Sequence, residues 1–250
     1  MNSPQKVAIV TGAASGIGKS VAERYAQEGV AVVLSDVNQE LGTQAAEQIR
    51  QAGGQATFVL ADVSRPTDCE QMVAFVLEHH GRLDYACNNA GIGGEQNHTA
   101  DLSIEGWQQI LAINLSGIFY CMKYQIPAML KSDGGAIVNM ASILGQVGFA
   151  GAAGYVAAKH GVVGLTQAAA LEYAPQGIRI NAVGPGFIST PMIHELEENP
   201  ELNSALVALH PIGRLGRSEE VAELVIWLSS EKASFVTGAY YPVDGGYLAR

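Results

Sequence analysis

Short apolar runs of strand length alternate along this chain with longer segments of helical spacing. Lys6–Thr11 (KVAIVT), Ala31–Ser35 (AVVLS), Gln55–Ala61 (QATFVLA), Leu83–Cys87 and Ile178–Val183 are rich in β-branched residues and predict strands. Between the first two, Gly16–Gly29 repeats Ile17, Val21, Tyr25 and Ala26 at the spacing of one helix face, and residues 38–53 predict a second helix. Strands separated by helix-length segments imply right-handed crossovers, hence an α/β fold with a doubly wound parallel sheet. The run Gly134–Ala158 has 25 residues without Asp, Glu, Lys or Arg, which is long enough to cross a bilayer. Its six glycines, with Asn139, Ser142, Gln146 and Tyr155, divide it instead into a strand, a loop and the start of a helix.

Composition narrows the class. A length of 250 residues with 48% hydrophobic and 15% charged residues predicts one domain over 1–250 with a well-buried core. The formal charge of −10 repels phosphate backbones and anionic lipid, so neither nucleic acid nor membrane is an expected partner. Cys69, Cys87 and Cys121 lack ligand spacing and read as reduced thiols, which points to a cytoplasmic protein. The opening MNSPQK passes into a strand by Val7 and leaves no room for a cleavable signal. Six histidines show no metal-ligand pattern, so no catalytic metal is expected, and His194 and His210 read as surface residues.

Candidate chemistry sits at the strand ends. The first strand runs into TGAASGIG, where Gly12, Gly16 and Gly18 let backbone approach a pyrophosphate at a helix N-terminus. Asp36 ends the second strand 18 residues past Gly18, a distance suited to the ribose hydroxyls of an adenosine; capping of helix 38–53 is the plain alternative. The third strand ends on Asp62-Val63, where a side-chain acceptor can meet an adenine amino group, and the fourth runs into Asn88-Asn89-Ala90-Gly91. Tyr155 and Lys159 are four residues apart, on one helix face, so the ammonium favours the phenolate. A phenol starts near a pKa of about 10, and work near neutrality means lowering it by about 3, or roughly 4 kcal/mol.

In this order TGAASGIG at 11–18, Asp62-Val63, NNAG at 88–91, Asn114, Ser142, YVAAK at 155–159, Pro185-Gly186 and Thr190 resemble the short-chain dehydrogenase/reductase family over nearly the whole chain. The resemblance implies a seven-stranded Rossmann-type sheet with three helices on each face and an NAD(H)-dependent oxidoreductase. It implies that Tyr155 is the general acid/base, that Ser142 holds the reacting oxygen, and that Lys159 binds the nicotinamide ribose and lowers the Tyr155 pKa. Asn114 would hold a water leading from Lys159 to solvent. Cofactor binding falls to Gly12, Ser15, Gly16, Ile17 and Gly18 in the turn, and to Asp36, Asp62 and Val63 at the next two strand ends. Asn89, Ala90, Gly91, Pro185, Gly186, Ile188 and Thr190 complete that set with Tyr155 and Lys159. NAD is the expected form, because Ser15 and Val37 stand where relatives that take NADP carry Arg or Lys.

Family members differ most beyond Gly186. Residues 187–212 are expected to form a mobile lid, with Phe187, Met192, Ile193 and Leu196 facing Ile92, Leu144, Val147 and Phe149 across a mainly apolar pocket. The implied substrate is a small to medium, largely uncharged secondary alcohol or ketone. A 3-oxoacyl-(acyl-carrier-protein) reductase shares the length and the closing VDGGY at 243–247. Such enzymes dock an acidic carrier on basic residues, whereas Ser132-Asp133-Gly134 and Ala169-Ala170-Leu171 occupy those places here. A non-catalytic dinucleotide sensor on the same fold would have lost part of the set that this chain retains. The family also implies a homotetramer, with helices near 105–131 and 152–174 presenting Trp107, Leu111, Leu115, Phe119, Val162, Leu165 and Leu171 to core and partner.

Overall fold

Strand and helix alternate as the hydrophobic pattern predicts. In chain order they are β1 Val7–Thr11, α1 Gly16–Gln27, β2 Ala31–Asp36, α2 Gln39–Gln51, β3 Ala56–Leu60, α3 Pro66–His80, β4 Tyr85–Asn88, α4 Ile104–Leu111 and α5 Gly117–Leu130. There follow β5 Gly135–Met140, α6 Ala153–Tyr173, β6 Ile178–Pro185, α7 His194–Glu198, α8 Pro200–Ala208, α9 Ser218–Ser229 and β7 Tyr240–Val243. The computed structural model describes residues 5–249; most of the opening stretch read above for a cleavable signal lies outside them, as does residue 250.

The seven strands are all parallel, in the order β3-β2-β1-β4-β5-β6-β7. The chain starts mid-sheet, builds outward to β3, and returns to lay β4 beside β1, with Ala8 opposite Tyr85. The order in which strands are added reverses between β1 and β4, and the crevice beyond their carboxyl ends is the place where such sheets bind ligands.

The strands are apolar throughout because both faces are covered. Val7 and Ile9 of β1 pack with α3, α5 and α6, through residues such as Met72, Met129 and Ala170. Ala8 and Val10 point the other way, to Val21 and Tyr25 of α1, Ile49 of α2 and Val225 of α9. Each fully buried aliphatic side chain contributes about 1.5–3 kcal/mol. Local signals fix the helix ends. Asn38 caps α2 through its side chain to the Leu41 N–H, Ser103 caps α4 to Gly106, and α3 opens on Pro66 and closes on Gly81 at φ +72°.

Two features depart from the sequence reading, and a third, the last strand, agrees with what the resemblance implies. Residues 105–131 are not one α-helix: a π-helical turn, Ala112–Ser116, divides α4 from α5, and the Gly117 N–H donates to the Ala112 carbonyl five residues back. Asn114 sits inside that turn. β7, anticipated only through the family resemblance, is a four-residue edge strand. Val162, expected to serve both core and partner, is wholly buried in the core. Gly134–Ala158 divides into β5, a 3₁₀ turn at Ile143–Gly145 and the first part of α6, and among the described residues no helix is long and apolar enough to cross a membrane.

Candidate active site

The turn after β1 has the shape of an anion cradle. Gly12 and Gly16 hold φ of +63° and +54°, and a Cβ at Gly18 would stand 2.2 Å from the Gly12 carbonyl oxygen, so three positions admit only hydrogen. Ser15 caps α1 without a side-chain hydrogen bond, and no acidic residue enters the first turn. The leading amides of a 12-residue helix are thus left to face a negative group, with the helix dipole behind them. The residues present fit a dinucleotide pyrophosphate. The turn is clasped from the end of the neighbouring strand β4: the Thr11 hydroxyl accepts from the backbone N–H groups of Asn89 and Ala90 at 3.0 and 3.1 Å, and the Asn89 amide donates to the carbonyls of Thr11 and Gly12.

Asp36 projects from the end of β2 and does not cap α2, which is the work of Asn38. One carboxylate oxygen accepts from the Ala14 N–H at 3.0 Å and the other from the Asn38 N–H at 2.9 Å. It is half-buried, so lone pairs remain for a sugar while the carboxylate braces the glycine turn. Asp62 is folded into its own turn, with one oxygen accepting from the N–H and hydroxyl of Ser64, and Val63 lies buried against Gly117.

The catalytic candidates meet where β5 gives way to α6. Ser142 ends the extended segment after β5, and its hydroxyl accepts from the Leu144 N–H. Lys159 is 3% exposed; its ammonium donates to the Met140 carbonyl at 2.7 Å and lies 5.5 Å from the centre of the Tyr155 ring. Burial lowers the Lys159 pKa to about 8. The Tyr155 ring is partly exposed on the cavity wall, yet burial pushes its phenol above the ordinary value, opposed by a hydrogen bond with Ser142. The lowering expected from Lys159 does not enter here: its ammonium is not among the groups acting on the phenol, and one of its N–H bonds goes to the Met140 carbonyl. The Asn114 amide is also engaged at both ends, accepting from the Ile92 N–H and donating to the Ile92 carbonyl, each at 2.8 Å.

A cavity of about 190 Å³ joins these groups to the glycine turn. Leu144, Phe149, Phe187, Met192, Ile193 and Leu196 line it as expected, and Ile17, Asn89, Gly91, Gly186, Ile188 and Thr190, expected at the cofactor, border it as well. Ile92 and Val147 do not line it. The backbone of Ile92 is pinned to Asn114, and Val147 follows the 3₁₀ turn with its N–H on the Ile143 carbonyl. Its only ionisable lining side chains are Tyr155 and Lys159. Gln96 and the Met140 carbonyl also belong to the site; the first lies in a loop without pattern, and the second is backbone, which no side-chain letter reports.

Residues 187–212 cover the cavity with a 3₁₀ turn at Pro191–Ile193, then α7 and α8. His210 is no surface residue. It is 3% exposed, with one ring nitrogen on the Leu206 carbonyl and the other accepting from the Phe187 N–H at 3.2 Å. That bond joins the far end of the covering segment to its first residue, and the His210 ring stands edge-on to Phe187 at 5.8 Å. His194 is exposed, beside Glu198. Among the described residues no group of three or more His, Cys, Asp or Glu converges as for a metal ion.

Known proteins resemble this chain over almost its whole length. A family profile described as enoyl-(acyl carrier protein) reductase matches residues 12–248. A cyclohexanol dehydrogenase of Acinetobacter sp. (strain SE19) is 54% identical over 245 residues, covering 98% of this chain and 96% of that protein. A cis-4-hydroxycyclohexanecarboxylate dehydrogenase of Sinomonas cyclohexanicum is 42% identical, covering 98% and 97%. Among solved structures, a variant actinorhodin polyketide ketoreductase with NADPH superposes with a TM-score of 0.94 at 39% identity, covering 99% of each chain.

Proposed function

Because this chain belongs to the short-chain dehydrogenase/reductase family, and is an alcohol dehydrogenase/carbonyl reductase within it, we propose that it interconverts uncharged cyclic secondary alcohols and their ketones with NAD(H). The observation that carries this reading is the small, largely apolar cavity at Ser142 and Tyr155, with no Arg, Asp or Glu in its lining. The cavity of about 190 Å³ must be shared with the nicotinamide, since Ile17, Gly91, Ile188 and Thr190 border it too, and what remains suits a compact ring, of the size that an apolar cavity of about 150 Å³ holds, better than a long acyl chain.

When bound, the nicotinamide accepts or supplies the hydride. The chain's own residues manage the proton and the orientation. The hydroxyls of Ser142 and Tyr155 grip the reacting oxygen. Tyr155 gives its proton to that oxygen in reduction and takes it back in oxidation. Lys159, anchored on Met140, offers its remaining N–H bonds to a ribose and favours the phenolate when Tyr155 deprotonates; the Asn114 amide is taken by Ile92, so the water beside Lys159 falls to the main chain of Asn114. Asp36 takes the adenosine ribose, Gly12 to Gly18 the pyrophosphate, and Asp62 and Val63 the adenine. Residues 187–212 act as the lid, hinged where Phe187 meets His210. The acidic surface and reduced cysteines support a cytoplasmic home.

A panel of ketones tests the substrate class. Cyclohexanone and alkyl cyclohexanones are expected to give the highest kcat/KM in NADH oxidation. A ring bearing a carboxylate should fall at least about tenfold below them, because the one cation in the cavity lining, Lys159, is anchored on the Met140 carbonyl and no arginine stands beside it to partner the charge. A 3-oxoacyl thioester turned over faster than any ring ketone would overturn the reading in favour of the carrier-protein reductase.

A homotetramer is part of the same proposal. Ile104, Trp107, Phe119 and Leu171 expose apolar area on α4, α5 and α6, with Leu171 82% exposed. Light scattering should give about 105 kDa, four times the 26.2 kDa chain. Leu171→Glu should lower that mass more than a charge at Leu115 or Leu165, which lean on the core. A monomer from the unmodified chain would end this part of the proposal.

A further inference from the structure

One side chain outside the cavity reaches the catalytic serine. Tyr240 stands on the edge strand β7, but its ring turns inward against a cluster of Ile118, Ala141, Val162, Val163 and Ala182. Its hydroxyl donates to the Ser142 carbonyl at 2.9 Å. Gly184 on the neighbouring strand opens the route, since a Cβ there would stand 1.9 Å from that hydroxyl. Tyr240 does not line the cavity, so its path to the chemistry runs through Ser142. Burial, with Asp244 nearby, pushes its phenol well up, which leaves it a proton donor throughout the working range.

We infer that Tyr240 is a positioning residue: by holding the Ser142 carbonyl, its hydroxyl fixes the peptide plane from which the Ser142 hydroxyl is presented to Tyr155 and the reacting oxygen. The inference rests on the role proposed above for Ser142. Ser142 lies where sheet pairing has just ended. Behind it, Ala141 still donates to the Val183 carbonyl; ahead, the 3₁₀ turn begins, and the Gly145 N–H takes the Ser142 carbonyl at 2.8 Å. With Tyr240 present that carbonyl has two donors from different elements, and its plane is set. With one donor, the peptide is free to pivot about the Gly145 bond and the hydroxyl swings with it. Small displacements of a group that orients a reacting atom cost rate more than binding.

Tyr240→Phe keeps the ring and removes the hydroxyl. Its kcat for ketone reduction should fall about tenfold, with KM, NADH Kd and melting temperature close to those of the parent. The same change made in Ser142→Ala should alter kcat less than about twofold, because the group being positioned is already gone. Gly184→Ala, which pushes the hydroxyl away without removing it, should lower kcat in the same direction, and it carries the test if the Phe variant does not fold. Parental kcat in Tyr240→Phe, where Ser142→Ala is impaired, would overturn the inference. So would an undiminished tenfold loss in the Ser142→Ala background. Full activity in Ser142→Ala alone would instead remove Ser142 from its proposed role, and Tyr240 with it.

Discussion

Tyr155→Phe is expected to lower kcat by about a thousandfold or more in both directions while leaving NADH affinity within about twofold. The substitution removes one oxygen, and with it the proton that is transferred to the reacting atom; positioned proton transfer contributes about 10²–10⁴ in rate. Binding should survive, because the ring remains and the cradle of Gly12, Gly16 and Gly18 lies elsewhere. The pH dependence sharpens the test. Burial holds the Tyr155 phenol above its ordinary value, so oxidation, which needs the phenolate, should gain rate as pH rises above neutrality. Phe has nothing to titrate, and that gain should vanish in the variant. Steady-state rates from pH 6 to 10, with fluorescence titration of NADH, check both halves. Retention of a tenth of the activity would remove Tyr155 from its role.

NAD(H) should be preferred over NADP(H) by at least about a hundredfold in kcat/KM, roughly 2.7 kcal/mol. The Asp36 carboxylate is fixed in place by the Ala14 and Asn38 amides, so it cannot swing away from an added 2′-phosphate. Like charges about 4 Å apart repel by on the order of 4 kcal/mol at an effective dielectric near 20, before solvent and salt reduce it. Val37 is 66% exposed beside it and offers no charge, whereas an arginine there would present a planar pair of donors. Asp36→Ala with Val37→Arg should erase most of the preference. It should also weaken both cofactors somewhat, since Asp36 braces the turn through Ala14. Equal kcat/KM for the two cofactors in the unmodified enzyme would show Asp36 to be misread.

The sequence is most informative where one residue type alone suffices. Apolar runs buried on both faces declare β1, β2 and β6, and glycines at positive φ declare the cradle. The readable letters fail where a backbone group acts or where two elements share a residue. No letter announces that the Met140 carbonyl takes the Lys159 ammonium, that Asn114 pins Ile92, or that His210 closes on Phe187. The Tyr155 phenol shows the same limit: spacing on a helix brings Lys159 near, but the backbone acceptor of that ammonium and the dryness of the cleft are tertiary facts. The π turn around Asn114 is likewise invisible, because its apolar spacing differs little from that of an α-helix.

The clasp of Thr11 on Asn89 and Ala90 also sets an order of events during folding. Partners 78 and 79 residues apart must find each other before the cradle is clasped on its second side, whereas β1, β2 and β3, and the hold of Asp36 on Ala14, form over far shorter separations. Closing the longer loop is the entropically dearer step, and it comes only when β4 docks. A partly synthesised chain that ends before Asn89 thus carries every glycine of the turn and none of its clasp. Dinucleotide can reward the finished sheet by mass action, but earlier it meets a cradle held on the Asp36 side alone, so it acts more on the lifetime of the folded enzyme than on the rate at which the fold is reached.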